Sequence, residues 1–370
     1  MAAYRIAVIP GDGIGPEVVA EGRKVLEAAA RAEGFGLLCE EFPWGCGYYL
    51  AQGCMMPEDG LEQLQAFDAI YLGGVGLPGQ VPEELSVRGV VFAIRFGFDQ
   101  YANLRPVRPL AGAPFPLSRV DPAEIDFVVV REATEGLYVG QGGRYAAGTP
   151  EFERWVPLRP ACARSREIAE QVGLYTEHGC RRVMRYAFEL ARRRGGRRLV
   201  TSCTKPNALN YGMKLWDEVF AEVAAEYPDI GHEWMHADAL AMRFVTQPQH
   251  FDVVVAPNLF GDLITDVSAA LLGGLGMAPG ANIAPGGLSM FEPPHGTAPD
   301  IAGRGVANPI AAVLTGAMLL RELGEEAAAR RLEAATATLV AEGRPLTPDV
   351  GGEASTEEVG DRLEKLTSAG

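Results

Sequence analysis

Short aliphatic and β-branched runs alternate along this chain with stretches that repeat apolar residues every three to four positions. Arg5–Ile9, Ala69–Leu72, Phe127–Val130, Arg198–Thr201 and Asp252–Val255 read as buried strands that lead into polar loops. Glu17–Ala32, Arg181–Arg194, Tyr211–Glu226, Asp262–Leu272, Asn308–Leu323 and Glu325–Ala341 read as helices, the first entered through Pro16. Such alternation predicts an α/β sheet with its chemistry at strand ends. The stretch from Val139 to Gly179 keeps neither period; with its prolines and scattered arginines it reads as an arm outside the core.

Composition narrows the functional classes. The chain has 370 residues, 48% hydrophobic and 22% charged, which is ordinary for a globular protein and long enough for two domains. A net charge of −15 opposes binding to phosphate backbones and anionic lipid, so neither nucleic acid nor membrane is expected as a partner. No apolar run is long enough to span a bilayer, and the first residues lack a signal-peptide core. Six scattered cysteines form no CxxC pair and read as reduced thiols, so a cytoplasmic location is expected. Lysine occurs only at 24, 205, 214 and 365, every other basic position being arginine or histidine.

Gly11-Asp12-Gly13-Ile14-Gly15 lies between the first strand and first helix, but Pro16 breaks the glycine spacing of a dinucleotide fingerprint. A tight turn is the simpler reading. His232-Glu233-Trp234-Met235-His236 matches the HExxH zinc pattern. The extension residues are Ala239 and Met242, and no glutamate follows before Glu292, so the match is taken as chance. Asp262 and Asp266, four apart after a strand, share a helical face and suit Mg²⁺ or Mn²⁺; an N-cap plus a solvated carboxylate is the alternative. Arg95, Arg105 and Arg131 are suited to planar carboxylates, with surface ion pairs as the alternative. Tyr138 is a phenol in a glycine-flanked loop. Lys205 ends a strand in a chain that otherwise favours arginine, and lysine is the basic residue able to give up its proton. Phe291–Asp300 combines prolines, glycine and small residues in a loop whose backbone can approach a nucleotide.

Together IPGDGIGPE, NLRP, TEGLY, TKPN, NLFGDLITD and EPPHGTAPDIAGRGVANP resemble the β-decarboxylating dehydrogenases, which include isopropylmalate, isocitrate and tartrate/D-malate dehydrogenases. The resemblance implies a two-domain, non-Rossmann α/β fold: residues 1–105 with 253–370 as the dinucleotide domain, and 106–252 as the substrate and dimerisation domain. An arm at about 139–180 is expected to clasp a second subunit. It further implies a homodimer with shared active sites. Arg95, Arg105 and Arg131 are expected to hold the substrate, Tyr138 to be the general acid, and Lys205 to be the base from the partner. Asp238, Asp262 and Asp266 are the expected Mg²⁺ or Mn²⁺ ligands, Asp238 coming from the partner. His295, Gly296, Thr297, Ala298, Asp300 and Asn308 are expected to bind the dinucleotide, the acid at Asp300 favouring NAD over NADP.

The tartrate/D-malate branch resembles this chain best, through Met55–Asp59, Phe98–Arg108 and Arg185–Leu190. The implied activity is oxidative decarboxylation of a (2R)-malate-type diacid. Isopropylmalate or a more acidic malate analogue is the alternative substrate, and a zinc peptidase on His232 and His236 the alternative class. Gly89 and Val91 stand where isocitrate enzymes use Ser and Asn. Arg88 stands where the malate branch carries tryptophan, in a segment expected to line the substrate. It either faces the substrate's additional group, or points outward or pairs with an acid such as Glu84. The outward case is the expectation.

Overall fold

The computed structural model describes residues 2–369. Twelve strands are formed: β1 Ala3–Ile9, β2 Gly36–Glu41, β3 Ala69–Leu72, β4 Ala102–Val107, β5 Phe127–Glu132, β6 Gly142–Ala146, β7 Glu167–Gln171, β8 Leu199–Thr204, β9 Gly231–His236, β10 Val253–Ala256, β11 Ala281–Ile283 and β12 Met290–Phe291. Ten of them form one sheet in the order β2-β1-β3-β12-β11-β4-β5-β10-β8-β9. Its two wings are parallel and its middle is antiparallel: β12 with β11, β11 with β4, and β4 with β5.

That change of direction positions the site. β4 carries Asn103 beside Asn282 of β11 on one side and Arg131 of β5 on the other. Three polar side chains therefore stand in one row across the sheet centre. In a regular sheet interior such a row is costly unless its members bond to one another.

The parallel wings follow the expected periodicities. The helix Gly15–Glu33 starts with Pro16 in its first turn and ends at Gly34, whose left-handed backbone lets its N–H reach Ala30. It buries Val18, Val19, Val25 and Leu26 against the sheet. On the other wing, Glu177–Arg194 is capped by Thr176, whose side chain accepts from the Gly179 N–H, and it buries Val183, Met184 and Phe188. The loop glycines 11–15 serve as a seam. Gly13 has φ +61°, and a Cβ there would stand 2.0 Å from the Thr297 carbonyl oxygen, so only glycine lets the two loops touch. The adjacent Ile14 N–H donates to that same oxygen at 2.9 Å.

The expected arm takes a defined form: β6 and β7 make a separate antiparallel pair, with the short helix Pro150–Glu153 between them. No helix is long and apolar enough to cross a membrane among the described residues.

Candidate active site

Arg131 ends β5 almost fully buried, and its guanidinium is held on three sides. Asn258 Oδ1 accepts from its Nε at 2.9 Å and from Nη2 at 2.6 Å, while Nη1 donates to Asp262. Asn258 Nδ2 donates in turn to the Glu135 carbonyl at 3.0 Å. Asn258 and Asp262 lie on the helix Asn258–Ala269, directly after β10. Asp262 is thus in the second turn, and the N-cap alternative is overturned because the helix begins four residues earlier than its periodicity indicated.

Tyr138 closes over this pair from the one-turn helix Leu137–Val139, between two left-handed glycines. Its Oη donates to Asp262 Oδ2 at 2.5 Å, and the Arg131 guanidinium lies 5.1 Å from its ring centre. Burial and then the Asp262 bond push the phenol up to about 12. For Asp262, burial works to raise the pKa, but Arg131, Tyr138, Arg105 and Arg95 outweigh it and hold the carboxyl below its ordinary range. Asp266 is raised, by burial and then by the charge of Asp262. Two carboxylates on one helix face, one of them resisting ionisation through burial and then the charge of the other, form a donor set that fits a hard divalent cation.

Arg95 and Arg105 complete a group of three guanidinium ions. Arg95 Nη2 donates to Glu292 at 3.2 Å, and its buried Nε has no hydrogen-bond partner among the described residues. Arg105 Nε donates to Asn103 at 2.9 Å. Burial lowers its pKa to about 10, against the attraction of Glu292 and together with repulsion from Arg131 and Arg95. Arg105, Asp266 and Pro294 line a common crevice. Like charges packed this closely need an anion, and an unpaired buried N–H needs an acceptor. The arrangement fits a small dicarboxylate.

The dinucleotide-loop candidates meet at the other side of Glu292. His295 is buried, its Nδ1 is 3.0 Å from the Gly296 carbonyl, and its Nε2 has no partner among the described residues. Ala298 holds φ +38°, a conformation that costs energy for any residue with a Cβ. Gly296 opens on free space, and Asp300 is exposed. An orphaned ring nitrogen beside a strained, small-residue backbone fits a bound nucleotide. Asn308 is committed elsewhere: Oδ1 accepts from the Ile310 N–H at 3.0 Å and Nδ2 donates to Asp349 at 3.0 Å. Its side chain fastens the helix Ile310–Glu322 to the loop at 349, leaving only its backbone for a ligand.

Lys205 and Asp238 form a separate cluster. Lys205 Nζ donates to Asp238 Oδ2 at 2.8 Å, and that bond lowers the Asp238 pKa. Neither makes a hydrogen bond or ion pair with Tyr138, Asp262 or Asp266 among the described residues. Among the described residues no three His, Cys, Asp or Glu side chains come together as a metal-binding group. The HEWMH pattern is β9 itself. Histidines four apart on a strand stand roughly 13 Å apart and cannot share an ion. Glu233 instead accepts from Thr201 Oγ1 and contacts His250, each at 2.8 Å, which overturns the zinc-peptidase alternative.

Arg88 is exposed and enters no ion pair, with Glu84 or any other acid, among the described residues. It sits on a π-helical stretch, Val87–Phe92, with its guanidinium 5.8 Å from the Phe92 ring centre. Both Nη atoms lie 2.5 Å from where a Gly140 Cβ would be, so the group rests flat on the loop that follows Tyr138. Phe92 also faces Tyr138 and Arg95.

The family model for isocitrate/isopropylmalate dehydrogenase matches residues 5–363. The chain belongs to the isocitrate/isopropylmalate dehydrogenase family. It is 48% identical over 366 residues to a probable tartrate dehydrogenase/decarboxylase of Agrobacterium vitis, covering 98% of this chain and 97% of the relative. It is 46% identical to the decarboxylating D-malate dehydrogenase of Escherichia coli K12, covering 99% of both. Among solved structures, isocitrate dehydrogenase from Methylococcus capsulatus superposes with a TM-score of 0.85 at 34% identity, again covering 99% of both chains. The fold is therefore that of this dehydrogenase family, and the protein is an enzyme of that kind.

Two residues of this family member's site escaped the sequence reading. Asn258 orients Arg131, and Glu292 holds Arg95. Both lay inside motifs singled out as stretches, but nothing in their spacing told which side chains they would meet across the sheet.

Proposed function

We propose that this enzyme oxidises and decarboxylates a (2R)-malate-type 2-hydroxy diacid, D-malate to pyruvate and CO2 or tartrate, using NAD and Mg²⁺ or Mn²⁺. The observation that carries this is the convergence of Arg131 and Tyr138 on Asp262 beside Arg95 and Arg105. It joins an acid, a metal-type carboxylate and an anion cradle in one place. The relatives named for tartrate and D-malate support the substrate class.

When bound, the cation supplies Lewis acidity at the substrate oxygens and the nicotinamide the acceptor for the electron pair leaving C2. The chain does the rest. Arg95, Arg105 and Arg131 fix the carboxylates, with the free Nε of Arg95 as one donor. Lys205 takes the hydroxyl proton as C2 is oxidised to the ketone. The C3–C4 bond then breaks, CO2 departs, and the phenol of Tyr138, protonated at neutral pH as any tyrosine is and held on Asp262, delivers its proton to C3.

The site is shared between two copies of the chain in this reading. Its support is the separation of Lys205–Asp238 from Asp262–Asp266, together with apolar side chains that flank both halves. Met242 and Val245 follow Asp238 on one helix, and Leu263 adjoins Asp262; all three are exposed. Exposed apolar residues so grouped mark an interface. Asp238 of the partner subunit would then hold the cation together with Asp262 and Asp266. Asp300 favours NAD because its charge repels a 2′-phosphate.

The test is NADH formation with D-malate, tartrate, isopropylmalate and isocitrate, each with NAD and with NADP, with Mn²⁺ added or chelated. D-malate or tartrate with NAD and metal is expected to turn over best; preference for isocitrate or isopropylmalate, or turnover in chelator, contradicts the reading. Tyr138→Phe is expected to leave a pre-steady-state burst of NADH while cutting steady turnover about 10²-fold or more. Loss of the burst places Tyr138 before oxidation.

Arg88 is exposed and is read here as a surface residue. Facing out, it leaves D-malate an ordinary substrate, and Arg88→Trp is expected to shift kcat/KM for D-malate by no more than about twofold, in keeping with the ~0.5 kcal/mol of a surface change. A rise of tenfold or more with D-malate, matched by a loss on a more acidic analogue, assigns the guanidinium to the substrate instead.

A further inference from the structure

Glu292 has a role that the chemistry above leaves unassigned. It follows β12 and is 9% exposed. Its Oε1 accepts from Arg95 Nη2 at 3.2 Å and from Asn282 Nδ2 at 2.8 Å. Asn282 Oδ1 accepts from Asn103 Nδ2 at 2.8 Å, and Asn103 Oδ1 accepts from Arg105 Nε at 2.9 Å. One carboxylate thus holds Arg95 directly and Arg105 through two fully buried asparagines on β11 and β4. The bonds joining Arg95, Glu292, Asn282 and Asn103 are buried, where bonds to charged groups are strongest, and the last one, from Arg105, is part-buried.

The same residue opens the segment that ends in the nucleotide-loop candidates. Only Pro293 and Pro294 separate it from His295; proline fixes φ and offers no N–H, so the connection is stiff. The Glu292 N–H is itself pinned to the Gly280 carbonyl at 3.1 Å. At the two ends of this short stretch stand two buried atoms without partners, Arg95 Nε and His295 Nε2. A diacid satisfies the first and a nucleotide the second. Each ligand would order one end of a segment that its two prolines make stiff.

We infer that Glu292 is a positioning residue that couples the dinucleotide loop to the substrate arginines, so that dinucleotide and diacid each tighten the other's binding. This rests on the assignment of the arginines and of residues 295–300 given under the proposed function. Linkage makes the effect reciprocal, and couplings of this kind are commonly between about 5- and 150-fold. Glu292 touches no reacting atom; it acts by holding Arg95 and Arg105 where a bound nucleotide needs them.

The experiment measures NADH affinity of the intact wild-type protein by fluorescence, with and without saturating succinate and Mg²⁺. Succinate is the malate skeleton without its hydroxyl, so no turnover intervenes. Succinate is expected to tighten NADH at least about fivefold, the low end of such couplings. Glu292→Gln keeps shape and loses charge; Glu292→Asp keeps the counter-charge the buried arginines need and loses reach. In both, the coupling factor is expected to fall below two while the affinity for NADH alone stays within twofold. A factor of one in the wild type, or a factor unchanged in both variants, overturns the inference. So does loss of NADH affinity without succinate equal to that with it, which is the mark of a merely structural residue. A wild-type protein that binds neither NADH nor succinate overturns the functional assignment as well, and is thereby told apart from failure of the coupling alone.

Discussion

Replacing Lys205 with methionine is expected to lower kcat by about 10²–10⁴-fold, the range typical of a lost general base, with NADH affinity unchanged. Methionine matches the length of the lysine stem, so the strand end and the neighbouring Thr204 and Pro206 keep their packing. What is lost is the amine nitrogen that donates to Asp238 at 2.8 Å. Asp238 is exposed, so an unpaired carboxylate there is solvated and costs the fold little. Single-turnover NADH formation with D-malate is the measurement. Retention of more than about a tenth of the wild-type rate, far above a lost general base, removes Lys205 from the proton transfer.

The second large effect is a recovery. Lys205→Met and Asp262→Asn homodimers are each expected to be nearly inactive, and co-assembly of the two is expected to restore about a quarter of wild-type activity. The arithmetic follows from a site built across the dimer interface. Random pairing of equal amounts makes half the dimers mixed, and each mixed dimer has one site with both intact residues and one with neither. If Lys205 and Asp262 of the same chain served one site, no mixed dimer would contain an intact site. Activity after mixing, measured as NADH formation with D-malate and Mn²⁺, therefore separates the two cases, and recovery below a few per cent contradicts the shared site.

The elements with a strong period were legible from sequence. Ala69–Leu72 is a strand as read, and the helix read as Arg181–Arg194 runs Glu177–Arg194. The centre of the sheet was not. β4, Ala-Asn-Leu-Arg-Pro-Val, has a proline and two polar residues that argue against a buried strand; it forms because β11 and β5 flank it in antiparallel register, while Asn282 of β11 and its own Arg105 satisfy the Asn103 side chain. β11 and β12 span three and two residues, too short for any periodicity to show. The helix Ala237–Thr246 was likewise missed, because the HEWMH pattern drew attention to its preceding strand.

The site divides along the same line. Residues whose type announces chemistry, such as Tyr138, Asp262 and Lys205, were visible from their surroundings in the chain. Asn258 and Glu292 were not, because their roles depend on which side chain a distant strand delivers. Asn308 shows the converse: it lies in a telling motif, yet its side chain bonds Asp349 and the Ile310 N–H.

The central claim is that oxidation and decarboxylation occur together on a malate-type diacid. It is tested most directly with D-malate carrying ¹³C at C4, in the presence of NAD and Mn²⁺. The account predicts labelled CO2 and unlabelled pyruvate, each in one-to-one ratio with NADH. NADH formed without labelled CO2, or label retained in a four-carbon keto acid, would contradict it.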